Sequence, residues 1–185
     1  ALLASLAGYS DLAHRLVCRL LGAPYAGTEA MLAHMLLLDN KLRRRLVHMD
    51  GTDHPLAGQI MGTEPEVMAR AAAVLDEMGF DVVDMNFACP VKKVLGRGRG
   101  GAMMEKPDLA LDIVRAVIRA VPRRPVTVKL RRAYRQGDDA AFWKIARGAF
   151  AAGAAAVCVH ARTVEQKYRG RADWDFLERV KTEFP

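Results

Sequence analysis

Apolar positions along this chain alternate between two periods, and the alternation repeats. Leu56 to Met61 is a short, nearly unbroken apolar run of strand length. After Thr63 and Pro65 the residues Val67, Ala71, Val74, Leu75 and Met78 then recur at helical spacing. Thr63 and Glu66 have the spacing of a capping box, and Gly79 supplies the residue that tolerates a left-handed turn at a helix C-terminus. The chain re-enters a strand at Val82 to Met85. Downstream the same unit predicts a helix from Pro107 to Ala120, a strand from Val126 to Leu130, a helix from Asp138 to Ala152 stopped by Gly153, a strand from Ala155 to Val159 and a last helix from Trp174 to Glu183. Upstream it predicts a first strand at Leu2 to Leu6, a helix capped by Ser10 and ending near Gly22, a strand at Tyr25 to Glu29 and a helical region from Met31 to Val47.

Strands separated by helices pair in parallel, because only a long crossover brings the chain back to start the next strand in the same direction. The expected class is therefore α/β. Six strands in sequence, apolar on both faces at Val82–Val83 and Val126–Val128, fit a (β/α)8 TIM barrel truncated to about its first six β/α units. On this reading residues 1–185 are one catalytic barrel domain, incomplete at the C-terminus, with a further strand beginning at Glu183 to Pro185. An open doubly wound sheet is the competing architecture at this length.

Composition narrows the class. With 51% hydrophobic and 26% charged residues the chain can bury a sizeable core, and its apolar runs are broken by charge before they reach membrane-spanning length. A cytoplasmic protein is expected. The three cysteines, Cys18, Cys89 and Cys158, form neither a disulfide framework nor a paired metal motif, so no metal is expected. The net charge of +7 is concentrated in clusters at Lys41 to Arg45, Lys92 to Arg99 and Arg131 to Arg135. Such clusters favour a polyanionic partner, since neutralising phosphates releases counterions.

In parallel α/β folds the chemistry sits at the carboxyl ends of the strands. The polar residues there are Ser10 and Asp11, Gln59, Asn86 with Cys89, Lys129 and His160. Cys18 and Cys158 read as buried structural thiols. Cys89 instead lies in a loop beside Pro90 and ahead of Lys92, Lys93 and Arg97, where a thiol serves as a proton donor or, if cations favour the thiolate, as a nucleophile. Lys129 is an inward lysine that needs an anion, or else a snorkelling residue at a strand end. His160 reads equally as a site residue or a satisfied core histidine. Gln59 needs hydrogen-bond partners, which a planar heterocycle could provide. The glycine-rich Gly96 to Gly101 follows a loop and not a strand, which argues against a dinucleotide fingerprint; its arginines fit a mobile RNA-facing loop or a solvated turn.

Taken together, Ala7 to Asp11, Gln59 to Gly62, Asp84 to Lys93, Val126 to Arg131 and Val159 to Thr163 resemble the tRNA-dihydrouridine synthase family from end to end. The most specific piece is Asn86-x-x-Cys89-Pro90-Val91-Lys92-Lys93 followed by a Gly-Gly turn. The resemblance implies an FMN-dependent barrel with NADPH as reductant and tRNA as substrate, in which hydride reaches uracil C6 and Cys89 protonates C5. It further implies that Ser5, Leu6, Ala7, Gln59, Asn86, Lys129 and His160 border the flavin, that Asn86 and Gln59 bond flavin or uracil edges, and that Lys92, Lys93, Arg97 and Arg162 meet RNA. Three positions depart from the family pattern: Ser5 and Leu6 stand where Pro and Met are usual, and Ala88 where glycine is usual. Two further readings are an FMN barrel reducing a free pyrimidine, as in the dihydroorotate oxidoreductases, and a non-catalytic tRNA-binding protein that has lost its flavin.

Overall fold

The structure, a computed structural model, describes residues 2–185. Its sheet is parallel throughout and its strands lie side by side in the order in which the chain makes them. Leu3 bridges Ala26; β1 (Ala26–Gly27) and β2 (Met31–Leu32) both pair with β3 (Leu56–Met61); β3 pairs with β4 (Val82–Phe87), β4 with β5 (Val126–Arg131) and β5 with β6 (Ala156–His160). A doubly wound sheet reverses its strand order at a switch point. No reversal occurs along this path. The architecture is therefore the expected truncated TIM barrel, curled with its helices outside.

The β1 and β2 segments are one barrel strand interrupted by a bulge. Three residues, Thr28 to Ala30, lie opposite two, Gly58 and Gln59, while both flanks keep register with β3. Thr28 stays attached through its N–H to the Ala57 carbonyl (2.9 Å) and accepts the Gln59 N–H at its hydroxyl (3.1 Å).

Helices α1 (Leu12–Leu20), α2 (Ala33–Leu36), α3 (Lys41–Leu46), α4 (Pro65–Glu77), α5 (Lys92–Leu95), α6 (Pro107–Ala120), α7 (Ala140–Ala152) and α8 (Trp174–Glu183) complete the chain, with a 3-10 helix at Gly100–Glu105. The core lies between strands and helices. Ile60, Val83, Met85, Phe87, Val128 and Leu130 meet Met68, Leu75, Ile113, Val114, Phe142 and Ile145. α6 packs between α4 and α7. The approach of α7 needs Gly148, where a Cβ would lie 2.5 Å from a Leu111 methyl. α8 is fastened to α7 through Phe176, whose ring meets Phe142 edge-on and Trp143 at a tilt.

Four sequence expectations are corrected. The strand at Leu2 to Leu6 is reduced to the single bridge at Leu3, because the Leu6 N–H donates to Ser10 Oγ (2.8 Å) and the Leu6 carbonyl accepts from Tyr9 and Ser10, which turns the chain out of the ladder. Asp11, not Ser10, caps α1, accepting the His14 N–H (2.9 Å). The Thr63–Glu66 box does not form: Pro65 occupies the first helical position and holds Glu64 extended (φ −109°, ψ 118°), so Glu64 becomes the cap. The helical region at Met31 to Val47 is split, with Met31–Leu32 in the sheet and Asn40 capping α3 through its side chain (2.9 Å to the Arg43 N–H). Among the described residues no helix is long and apolar enough to cross a membrane.

A buried ion cluster ties α1 to the segment that feeds β3. Arg15 binds Asp53 (2.8 Å) and the carbonyls of Ser10 and His48 (both 2.8 Å), while Arg19 binds the other Asp53 oxygen (3.0 Å) and the Pro55 carbonyl (2.8 Å). The side chains of Arg15 and Asp53 are 1% and 0% exposed. Removing one partner of such a pair strands the other charge. Asp53→Ala is expected to destabilise the fold by about 3–5 kcal/mol, read as a drop in the urea midpoint.

Candidate active site

Strand alternation places Ala57 and Gln59, Val82 and Asp84, Thr127 and Lys129, and Ala156 and Cys158 on the concave face, where with Ser5, Tyr25 and Gly27 they line a cavity of about 480 Å³. Register then sorts them into layers. Gln59 lies opposite Asp84 and Asp84 opposite Thr127; one layer higher Asn86 faces Lys129 and Lys129 faces Cys158; above that Arg131 faces His160.

The lower two layers form one hydrogen-bonded row. Thr127 Oγ1 donates to Asp84 Oδ1 (2.6 Å), Gln59 Nε2 to Asp84 Oδ2 (2.6 Å) and Asn86 Nδ2 to Gln59 Oε1 (2.8 Å). Asn86 Oδ1 accepts the backbone N–H groups of both Ala88 and Cys89 (3.0 Å each). Gln59 therefore finds partners within the protein, and each amide keeps one further N–H for a ligand. Loss of hydration raises the Asp84 carboxyl above the ordinary carboxylate value, against the opposing effect of its two donors and of the Lys129 ammonium.

The Lys129 ammonium contacts Cys158 Sγ (3.6 Å), and no carboxylate forms an ion pair with it among the described residues. It sits mid-strand on the inner face, not at a strand end as sequence reading allowed. Cys158 is corrected outright: two residues before His160, it shares the inner face and is exposed, not buried. Cys18 is half-buried beside His14.

Cys89 stands at the rim, half-buried. Beneath it the glycine-rich segment divides: residues 96–98 form the solvated turn that sequence reading allowed, with Arg97 exposed, whereas Gly100 and Gly101 are packed. Gly101 donates its N–H to the Cys89 carbonyl (3.0 Å), and Gly100 adopts φ +57°, where a Cβ would lie 2.9 Å from Cys89 Cβ. Gly100 to Met104 are buried. Arg131, to which sequence reading gave no separate role, holds the loop from the other side. Its Nε donates to the Ala88 carbonyl (2.9 Å) and its Nη1 to the carbonyls of Thr163 (3.0 Å) and Lys167 (2.6 Å), under the Tyr168 ring (5.6 Å).

His160 Nδ1 accepts the Arg162 N–H (3.3 Å), which assigns the remaining proton to Nε2. Burial, followed by the charges of Arg131, Lys129 and Arg162, pushes its pKa down from 6.5 to about 4. The ring is thus a neutral donor. Arg162 itself is engaged by the Gly170 carbonyl (3.2 and 3.0 Å). Lys92, Lys93 and Arg97 are exposed, and no carboxylate bridges them among the described residues. Ser5 lines the cavity, whereas Leu6 and Ala7 lie exposed in the turn that leaves it. Among the described residues no group of three or more metal-ligating side chains occurs.

The family model for dihydrouridine synthase (Dus) matches residues 2–185. The chain is 36% identical over 181 residues to tRNA-dihydrouridine synthase B of Pseudomonas aeruginosa, covering 97% of this chain and 54% of that protein. It is 38% identical over 189 residues to tRNA-dihydrouridine synthase B of Xanthomonas campestris pv. campestris (97% and 54%), and 35% identical over 182 residues to a probable tRNA-dihydrouridine synthase of Rickettsia conorii (97% and 54%). The chain spans about half the length of these curated relatives.

The histidine generates a pH prediction. Its folded pKa lies below the unfolded value, so its contribution to stability is complete above pH 6.5 and is lost as pH falls toward about 4. His160→Gln should flatten the pH dependence of the denaturant midpoint across that window. An NMR titration should find the wild-type ring neutral at pH 6.

Proposed function

The chain belongs to the dihydrouridine synthase family, and from that premise we propose that it forms the catalytic half of an enzyme reducing uridine in tRNA to 5,6-dihydrouridine, with FMN as cofactor and NADPH as reductant. What carries the reading is a thiol just past the carboxyl end of β4, joined by an ordered polar row to the Gln59, Asp84 and Thr127 wall of the cavity.

The cavity suits a flavin in size and in donor set. About 480 Å³ lies within the ordinary range of ligand sites. The Lys129 ammonium, the spare N–H groups of Gln59 and Asn86 and the neutral Nε2–H of His160 suit the carbonyl- and nitrogen-rich edge of a planar heterocycle. The backbone at Ser5 would border the same ring, a contact that does not depend on the Pro usual there, whereas Leu6 and Ala7 stand outside the cavity. A reduced flavin held there would supply the hydride that adds at uracil C6.

The chain's own residues do the rest. Hydride addition leaves negative charge on the pyrimidine, and Cys89 delivers the proton to C5, so that the C5=C6 double bond is lost and one C–H bond forms at each carbon. A positioned acid of this kind typically contributes about 10²- to 10⁴-fold. Lys129 supplies positive charge beside the electron-rich ring. A uridine must leave its stack to enter such a cavity, and Lys92, Lys93, Arg97 and Arg162 lie at or beyond the same rim, where phosphates would meet positive charge.

The test is mass spectrometry of unmodified tRNA incubated with the full-length protein, FMN and NADPH. Wild type should form dihydrouridine, and Cys89→Ala should lose most of it, by about 10²-fold or more. No product from folded, flavin-loaded wild type would overturn the reading and favour a free pyrimidine as substrate. A colourless protein that still binds tRNA would favour a non-catalytic role.

A further inference from the structure

Asp84 touches neither the Cys89 loop nor the rim, yet the donor and acceptor pattern of the row leads from one to the other. Backbone N–H groups can only donate. Because Ala88 and Cys89 both donate to Asn86 Oδ1, the Asn86 amide has one orientation, with Nδ2 directed at Gln59. Gln59 must then present Oε1 to Asn86 and Nε2 to its other neighbour. That neighbour must accept, and it is Asp84 Oδ2. The opposite oxygen accepts from Thr127, which holds the carboxyl plane in place. Without an acceptor at position 84 the Gln59 amide is free to reverse. A reversed Gln59 sets its N–H groups against those of Asn86, which turns the Asn86 oxygen away from the Cys89 loop.

We propose that Asp84 is a positioning residue for Cys89, acting through the Gln59 and Asn86 side-chain amides to fix the backbone of residues 88 and 89. The role rests on the proposed reaction only for its effect on turnover; the effect on the loop stands without it. Side-chain networks of this kind are worth more intact than the sum of their links, and misplacement by about 1 Å at a reacting group can lower a rate by about 10²-fold.

Two substitutions separate a positioning role from simple filling of space. Asp84→Asn retains an oxygen for Gln59 Nε2, and its own amide can donate to the Thr127 hydroxyl, which turns its proton elsewhere. Asp84→Leu retains the volume and removes both acceptors. Hydrogen–deuterium exchange by mass spectrometry on the peptide spanning residues 86–91 reads the loop directly, with the peptide over residues 126–131 as a control for the fold. Asp84→Leu should speed exchange in residues 86–91 by at least about tenfold with the control unchanged, and Asp84→Asn should stay close to wild type. In the tRNA assay Asp84→Leu should lower kcat by about 10²-fold with little change in KM, and Asp84→Asn should lower it far less.

Unchanged exchange in a folded Asp84→Leu protein would overturn the proposal, as would Asp84→Asn behaving like Asp84→Leu. If Asp84→Leu does not fold, Gln59→Leu breaks the same relay one link further on and carries the same expectation for exchange. Absence of dihydrouridine from wild type would sink the proposed reaction, while the exchange result would still decide the relay.

Discussion

Parallel pairing in chain order is the constraint on which the rest of this protein depends. Each strand must start at the same end of the sheet as its neighbour, so each crossover needs a helix, and each strand delivers its carboxyl end to the same rim. Residues far apart in sequence, Cys89, Arg131 and His160 among them, become neighbours through that rule alone. The two-residue period of the strands then divides the labour. Val83, Met85, Val128 and Leu130 face the helices and form the core, while Asp84, Asn86, Thr127 and Lys129 face inward.

A polar inner face in a fold held together by apolar burial has to satisfy itself, since a buried polar group left without a partner typically destabilises by about 1–3 kcal/mol. The row from Thr127 through Asp84, Gln59 and Asn86 to the Cys89 backbone does so link by link, a donor meeting an acceptor at each, with one N–H left over on each amide. Positive charge gathers directly above it in Lys129, Arg131 and Arg162. The charges that, after burial, hold His160 neutral are the same charges that would favour an electron-rich ring in the cavity.

Much of this was legible in the sequence. The helices Pro107–Ala120 and Trp174–Glu183 lie where their periodicity put them, and the strand order follows from alternating units. What escaped was set by contacts that no local pattern encodes. Pro65 moved a cap by one residue, and the Ser10 hydroxyl drew Leu6 out of the sheet. Asn40, itself a recognisable cap residue, broke a helix that apolar spacing alone would have continued. In the site, Cys89, Asn86 and His160 could be found because each lies near a strand's carboxyl end, and Lys129 because it is a charge set in an apolar strand run. Asp84 and Cys158 lie one step deeper, two residues before Asn86 and His160, and the period of two that places each pair on one face was the available signal. The partners of Asp84, at positions 59 and 127, are brought to it only by strand register.

Arg131 joins two loops that also meet where Val164 packs against Gly101 beneath the Cys89 carbonyl. One guanidinium holds the Ala88 carbonyl next to Cys89 and, 75 or more residues onward, the carbonyls of Thr163 and Lys167. Its own charge is buried, so releasing either loop alone leaves the cation short of acceptors in a place water reaches poorly. Displacing either loop therefore costs bonds to the same guanidinium, which couples the two sides of the rim. A ligand that pressed on the 163–168 side would be felt at the thiol across the mouth, through one guanidinium shared by both.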